Sequence, residues 1–269
     1  MLLRARAFVL VCMALGALVS CRDRGASEAP VRVAAAADLM FAFETLADEH
    51  GDELGYPISF SFGSSGLLAR QLRGGAPFDL FASANVAFVD EVIAAGACED
   101  ATVARYAEGR IVLWTRQGSV EPPTSLADLA DPRFARIAIA NPEHAPYGQA
   151  AREALDHAGL WDTLKPRLVY GENIRQAHQF AQTGNVDAAI VAYALVIDDD
   201  DNPWSLVAKD RHEPIDQALV VCSGGDQREG AEAFAALLAS GAGREVMRHY
   251  GFLLPHDAAQ PETQVGDEL

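Results

Sequence analysis

Positive charge is scarce in this chain. Its 269 residues hold 21 Lys and Arg against 38 Asp and Glu, a formal net charge of -17. That balance excludes a protein that grips nucleic acid through basic patches. It also removes long-range steering of an anion, so an anion site has to rely on local donors. Recognisable catalytic spacings are missing as well. The seven histidines form no His-Glu-x-x-His pattern, and no Gly-x-Ser-x-Gly elbow occurs. No repeat of fixed period appears. Asp198 to Asp201 is a run of four acids before Asn202-Pro203, but it lacks the spaced ligands of a calcium loop and reads as a solvated loop.

What is present begins with the ends. Arg4 and Arg6 precede an almost uninterrupted apolar run over residues 8–19. That length suits the central region of a secretory signal and is short for a membrane span. The run closes on Leu18-Val19-Ser20-Cys21, which resembles a bacterial lipobox. Residues 1–20 then read as a signal peptide, Cys21 as the acylated mature N-terminus, and residues 21–30 as anchor and polar tether. Several acyl chains exceed the two signals that stable anchoring needs, so the chain is expected to fold outside a membrane while tied to it. Residues 255–269, acidic and carrying Pro255 and Pro261, read as a disordered tail. Of four cysteines, Cys12 leaves with the signal and Cys21 is acylated. Cys98 and Cys222 remain, and a disulfide or two buried thiols are both open in this compartment.

Between the ends, short apolar strands alternate with amphipathic helices. Strands are predicted over residues 31–36, 58–62, 78–82, 110–115, 137–140, 168–170, 188–192 and 218–222. Helical spacing fills the intervals, for example through Leu39, Phe43, Leu46 and Ala47. This alternation predicts an α/β fold of mostly parallel sheets flanked by helices. Ligands on such sheets sit beyond the carboxyl ends of strands, at helix N-termini.

Four stretches share that position. They are Ala34-Ala35-Ala36-Ala37-Asp38-Leu39, Phe62-Gly63-Ser64-Ser65-Gly66, residues 141–148 from Asn141 to Gly148, and Gly171-Glu172-Asn173-Ile174-Arg175. Backbone N–H groups at a helix start are unsatisfied and partly positive. Several converging on one point bind an anion without a formal cation. Ser64 and Ser65 add hydroxyl donors, and Gly63 and Gly66 permit close backbone approach.

The same stretches carry a resemblance. Ser61-Phe62-Gly63-Ser64-Ser65-Gly66, then Leu68-Ala69-Arg70-Gln71, then Gly75-Ala76-Pro77-Phe78-Asp79-Leu80-Phe81-Ala82-Ser83-Ala84 are similar to the periplasmic molybdate-binding proteins, within the type II periplasmic binding proteins. Asn141-Pro142-Glu143-His144, Pro146, Gly148 and the ending Tyr250-Gly251-Phe252 extend the likeness from Val31 to about Leu254. The resemblance implies a two-lobed fold hinged by two chain crossings. Lobe one would be residues 31–110 plus 217–254, and lobe two residues 111–216. It implies an oxyanion in the cleft, molybdate or tungstate, with no cofactor, no metal held as a cation and no catalysis. The implied partner is the membrane permease of an ABC importer, served by a monomer on the extracytoplasmic side.

Carried over by position, Ser65 would donate its hydroxyl and N–H, Tyr147 and Ile174 their N–H groups, and a tyrosine hydroxyl near the end of strand 188–192 would close the site. Two departures stand out. The family often has Ser at the first turn, where this chain has Ala37 or Asp38. The preferred alignment puts Ala37 in that place, and Asp38 is then left to start the helix and turn away. With Asp38 there, a carboxylate faces a dianion. Tyr193 falls one position beyond an ungapped match, which on a strand reverses its direction. These departures leave a second reading, another oxyanion or a small organic acid. A hydrolase built on Ser65, His144 and an acid such as Asp187, and a sensory lipoprotein of the same fold, are the remaining alternatives.

Overall fold

A computed structural model describes residues 29–255. The expected signal, Cys21, most of the tether and nearly all of the tail lie outside the described residues. Two five-stranded sheets form the two lobes. Their strands are β1 (Val31–Ala36), β2 (Ile58–Gly63), β3 (Leu80–Ser83), β4 (Ala104–Gly109), β5 (Ile111–Trp114), β6 (Ile137–Ala140), β7 (Leu168–Gly171), β8 (Ala188–Ala192), β9 (Trp204–Leu206) and β10 (Ile215–Val221). The first sheet has the order β2-β1-β3-β10-β4 and the second β7-β6-β8-β5-β9. Eight α-helices flank them: α1 (Met40–Leu54), α2 (Ser65–Arg73), α3 (Val86–Ala94), α4 (Pro146–His157), α5 (Trp161–Leu164), α6 (Ile174–Gln182), α7 (Arg228–Ala239) and α8 (Gly241–His249). Among the described residues, no helix is long and apolar enough to cross a membrane.

In each sheet four strands run one way and one is reversed. β10 is antiparallel to β3 and β4, and β5 is antiparallel to β8 and β9. The reversed strands are the first ones the chain lays down after each passage between sheets. It leaves β4, passes Arg110 and enters β5; it leaves β9 and returns through residues 207–214 into β10. Arg110 marks the first passage. Its Nε and Nη2 both donate to the Gly251 carbonyl, at 2.9 and 2.6 Å.

The central strands are buried on both faces, which is why they read as unbroken apolar runs. β6 (Ile-Ala-Ile-Ala) and β8 (Ala-Ala-Ile-Val-Ala) are buried at every position. Alanines at the strand ends leave room for helix N-termini to sit close. Phe43, Phe60 and Phe234 pack edge-to-tilted in the first lobe, with centroids 5.2 to 5.9 Å apart. Cys98 and Cys222 are joined as a disulfide across an isolated antiparallel bridge, which settles their open pairing. The acidic run is not wholly solvated: Asp199 accepts from Trp114 Nε1 at 3.2 Å and from Asn202 Nδ2 at 2.7 Å.

His178 lies in the second core with its ring edge-on to the fully buried Trp114, centroids 4.8 Å apart. Its Nε2 is buried with no partner among the described residues. Burial holds the imidazole down to about 4, against a smaller opposing pull from Asp199. The folded state therefore keeps it neutral where an unfolded chain would protonate it. Stability from this group is full above about pH 6.5 and is lost as pH falls towards 4, to a total of about 3 kcal/mol. Urea unfolding at pH 7 and pH 4.5 is expected to show a smaller acid loss for His178→Gln than for the wild type. Equal losses in both proteins would remove His178 as the cause.

Candidate oxyanion site

The four strand-end turns meet at one place. A cavity of about 10 Å³ is lined by Ala36, Ala37, Asp38, Gly63, Ser64, Ser65, Ala84, Ala145, Pro146, Tyr147, Asn173 and Ile174. That is room for about one water-sized sphere. Each wall is a strand end feeding a helix or turn. β1 runs into the 3-10 turn Ala37–Leu39, β2 into α2, β6 into α4 and β7 into α6. Two walls belong to each lobe. Larger depressions exist elsewhere, one of about 430 Å³ lined by Leu113, Ser125, Leu126, Val207 and Arg211, but that one gathers no comparable set of helix starts.

The helix starts supply the donors. Ser65 is the first residue of α2, Tyr147 the second of α4 and Ile174 the first of α6, so their N–H groups have no partner inside the helix. Pro146 at the first position of α4 has no N–H to leave unsatisfied. Gly148 then permits the helix to land on β6, because an added Cβ would stand 2.2 Å from the Ala140 carbonyl oxygen. Ser65 Oγ accepts from the Ala84 N–H at 3.0 Å, which leaves the hydroxyl proton to be donated. Among the described residues, no Lys or Arg lines the cavity.

Other predicted residues have different work. Ser64 is not a free donor. Its hydroxyl donates to the His144 carbonyl at 2.5 Å, with His144 Nδ1 also 2.8 Å away. The Gly66 N–H donates to the same carbonyl at 3.0 Å. Two groups of the first lobe thus latch onto one carbonyl of the second. Tyr193 is not brought to the cavity. Its ring lies 4.8 Å from Trp204 and 4.6 Å beneath the Arg110 guanidinium, at the chain crossing. The strand β8 ends at Ala192, and the chain turns into a 3-10 segment that carries Tyr193 aside. The hydrolase constellation does not assemble either: His144 meets Ser64 rather than Ser65, and Asp187 accepts from the Arg136 backbone.

Asp38 is neither exposed nor a helix cap. It is 1% exposed, and α1 begins without a side-chain cap. Its Oδ2 accepts from Tyr147 Oη at 2.9 Å and from Gln217 Nε2 at 2.7 Å, while Tyr106 donates to Gln217 Oε1 at 2.9 Å. Burial raises the carboxyl to about 6, against the lowering effect of Gln217, Tyr147 and its own backbone N–H. Burial and the nearby Asp38 together push the Tyr147 phenol well above its ordinary value, so it stays a donor. The Tyr147 side chain, Gln217 and Tyr106 were not among the residues singled out from sequence.

Comparisons with known proteins agree with this architecture. The family model described as bacterial extracellular solute-binding protein matches residues 31–253. The molybdate-binding protein of Azotobacter vinelandii is 34% identical over 246 residues, covering 89% of this chain and 95% of the relative. That of Rhodobacter capsulatus is 33% identical, covering 75% and 79%. The solved structure of the Azotobacter vinelandii periplasmic molybdate-binding protein superposes with a TM-score of 0.78 at 29% identity, covering 84% of this chain and 99% of that one.

Proposed function

We propose a function from one premise: the chain belongs to the bacterial extracellular solute-binding protein family. It captures molybdate, and tungstate as its near-isostere, on the extracytoplasmic side and presents it to the membrane permease of an ABC importer. The observation that carries this reading is the convergence of three helix starts and the Ala37–Asp38 turn on a cavity of about 10 Å³ with no cation in its wall. Such a site favours a compact anion that takes many hydrogen bonds. Hydrogen bonds to a charged partner contribute about 1.5–3 kcal/mol each, so a few donors suffice.

The binding set would be Ala37 and Ser65 from one lobe and Tyr147 and Ile174 from the other. Only the closed form lets all of them reach one anion, so the ligand shifts the population towards closure. The hinge would lie near residues 110–113 and 215–220, and the closed form is what the permease would recognise. A lipid anchor at Cys21 would hold this monomer at the membrane.

Thermal unfolding of residues 22–269 tests the ligand. Saturation at about 100 times the dissociation constant adds about 2.7 kcal/mol, or about 5–10 °C for a chain this size. The rise is expected with molybdate and tungstate and not with phosphate. Equal rises with sulfate and molybdate would remove the molybdate assignment.

A further inference from the structure

One acidic side chain stands in the wall of a cavity suited to an anion. We propose that Asp38 meets the bound dianion as a neutral carboxylic acid, so that each capture takes up one proton and Asp38 sets which oxyanions are held. The inference rests on the oxyanion reading of this cavity.

The geometry fixes where the proton goes. Asp38 Oδ2 already accepts two donors, Tyr147 Oη and Gln217 Nε2. Oδ1 is buried and has no hydrogen-bond partner among the described residues. An unpaired buried carboxylate oxygen is costly, and more so beside a second negative charge. Protonation at Oδ1 removes both penalties at once. It also converts the unpaired acceptor into a donor on a residue that lines the cavity.

The surroundings do not offer a cation instead. Tyr106 on β4 and Tyr147 on α4 are the titratable groups that couple to Asp38, and both are raised in turn. Gln217 on β10 is neutral. The helices α1 and α6, strand β2 and the turn Tyr193–Leu195 pack on the same segment. Their ionisable groups are directed elsewhere. Arg175 and the acids of α1 are exposed, His50 of α1 lies 3.8 Å from Glu53, His178 lies against Trp114, and Tyr193 lies under Arg110. β2 carries none. Burial, working against the hydrogen bonds from Gln217 and Tyr147, already lifts the carboxyl to about 6, and a dianion acts in the same direction.

The same atom discriminates between ligands. A neutral acid donates, which suits molybdate, tungstate or sulfate without a proton of their own. An ionised Asp38 would instead accept, which suits an anion that brings a proton, such as hydrogenphosphate.

Calorimetric titration of the wild type and Asp38→Asn with molybdate, at pH 5.5 to 8.5 in two buffers of different ionisation enthalpy, tests this. Asparagine keeps an oxygen for Tyr147 and Gln217 and places an N–H where the acid proton would be. Wild-type affinity is expected to fall up to about tenfold per pH unit above pH 6.5, with uptake approaching one proton per anion. Asp38→Asn is expected to bind with a flat profile and no uptake. Molybdate binding by the wild type with no uptake and no slope would overturn the inference and leave the oxyanion reading standing. So would a retained slope in Asp38→Asn, or tighter binding of hydrogenphosphate than molybdate. No binding of any oxyanion by folded wild type would overturn both. Should Asp38→Asn not fold, wild-type proton uptake in the two buffers decides alone.

Discussion

Gly66→Ala is expected to weaken molybdate binding about 100-fold or more while leaving the unliganded protein folded. A Cβ at this position would stand 2.8 Å from the His144 carbonyl oxygen and 2.9 Å from the Phe88 ring. Phe88 is the end of a side chain in the same lobe and can shift. His144 O is backbone of the opposite lobe, and it is held by Gly66 N–H and Ser64 Oγ at the same time. Closure with alanine present forces that carbonyl back and loosens both bonds. Overpacking costs about 1–3 kcal/mol and each neutral hydrogen bond about 0.5–1.5 kcal/mol. The closed state would lose about 3 kcal/mol, and apparent affinity falls with the fraction of competent molecules. With the lobes apart the added Cβ would be clear of His144, and alanine inside α2 is about 0.5–1 kcal/mol better than glycine. Calorimetry would read the affinity, and the unliganded melting point would read the fold. Ser64→Ala removes one bond without the clash and is expected to cost no more than about tenfold. If Gly66→Ala binds like the wild type, the Gly66–His144 contact does not limit closure.

The latch shows which parts of the site could be read from residues alone. Each of the four turns was visible because a strand end, small residues and a helix start lie within a few positions of one another. Local patterning carries that much, and the backbone that lines the cavity follows from it. The partners of Asp38 could not be seen this way. Tyr147 is 109 residues away and Gln217 is 179 residues away, on a strand that returns only after the second lobe is complete. A sequence that offers Ala37 or Asp38 as alternatives invites a choice, and the preference for an Asp38 turned away did not hold. Both residues line the cavity, because the carboxyl is satisfied on one oxygen by donors from elsewhere in the chain. Ser64 looked like a ligand donor for the opposite reason: its hydroxyl is free in any local view and is used only when His144 arrives across the cleft.

Secondary structure divided along the same line. Buried parallel strands such as β6 and β8 announce themselves as apolar runs. β4 did not, since Ala-Arg-Tyr-Ala-Glu-Gly alternates poorly and is partly exposed. It becomes a strand because β10 pairs with it. β9, three residues long, exists through its pairing with β5. Tyr193 belongs with these cases. A one-residue offset at a strand end leaves its role open, and the ring packs with Arg110 and Trp204 at the crossing rather than in the cavity wall.

The disulfide is the largest single contribution to stability that can be isolated. Cys98 and Cys222 are 124 residues apart, and the loop they close contains β4 through β10, and so the whole second sheet. Chain-entropy reasoning gives about 5 kcal/mol for a loop of this length, nearly all of it from restricting the unfolded chain. Cys98→Ala with Cys222→Ala, or reduction of the wild type, is therefore expected to lower the melting midpoint by about 10–20 °C. The expectation has a second part. The bridge lies in the first lobe, away from the cavity wall, and joins the segment after α3 to the end of β10. Its loss should leave the affinity for molybdate unchanged at temperatures where the protein is folded. Oxidised and reduced melting curves, with and without molybdate, separate the two effects. A midpoint that moves by less than about 3 °C would mean that the unfolded chain stays compact without the crosslink, so that the entropic account does not apply. A large fall in affinity in the folded, reduced protein would mean that β10, which carries Gln217 to Asp38, needs the bridge to hold its register.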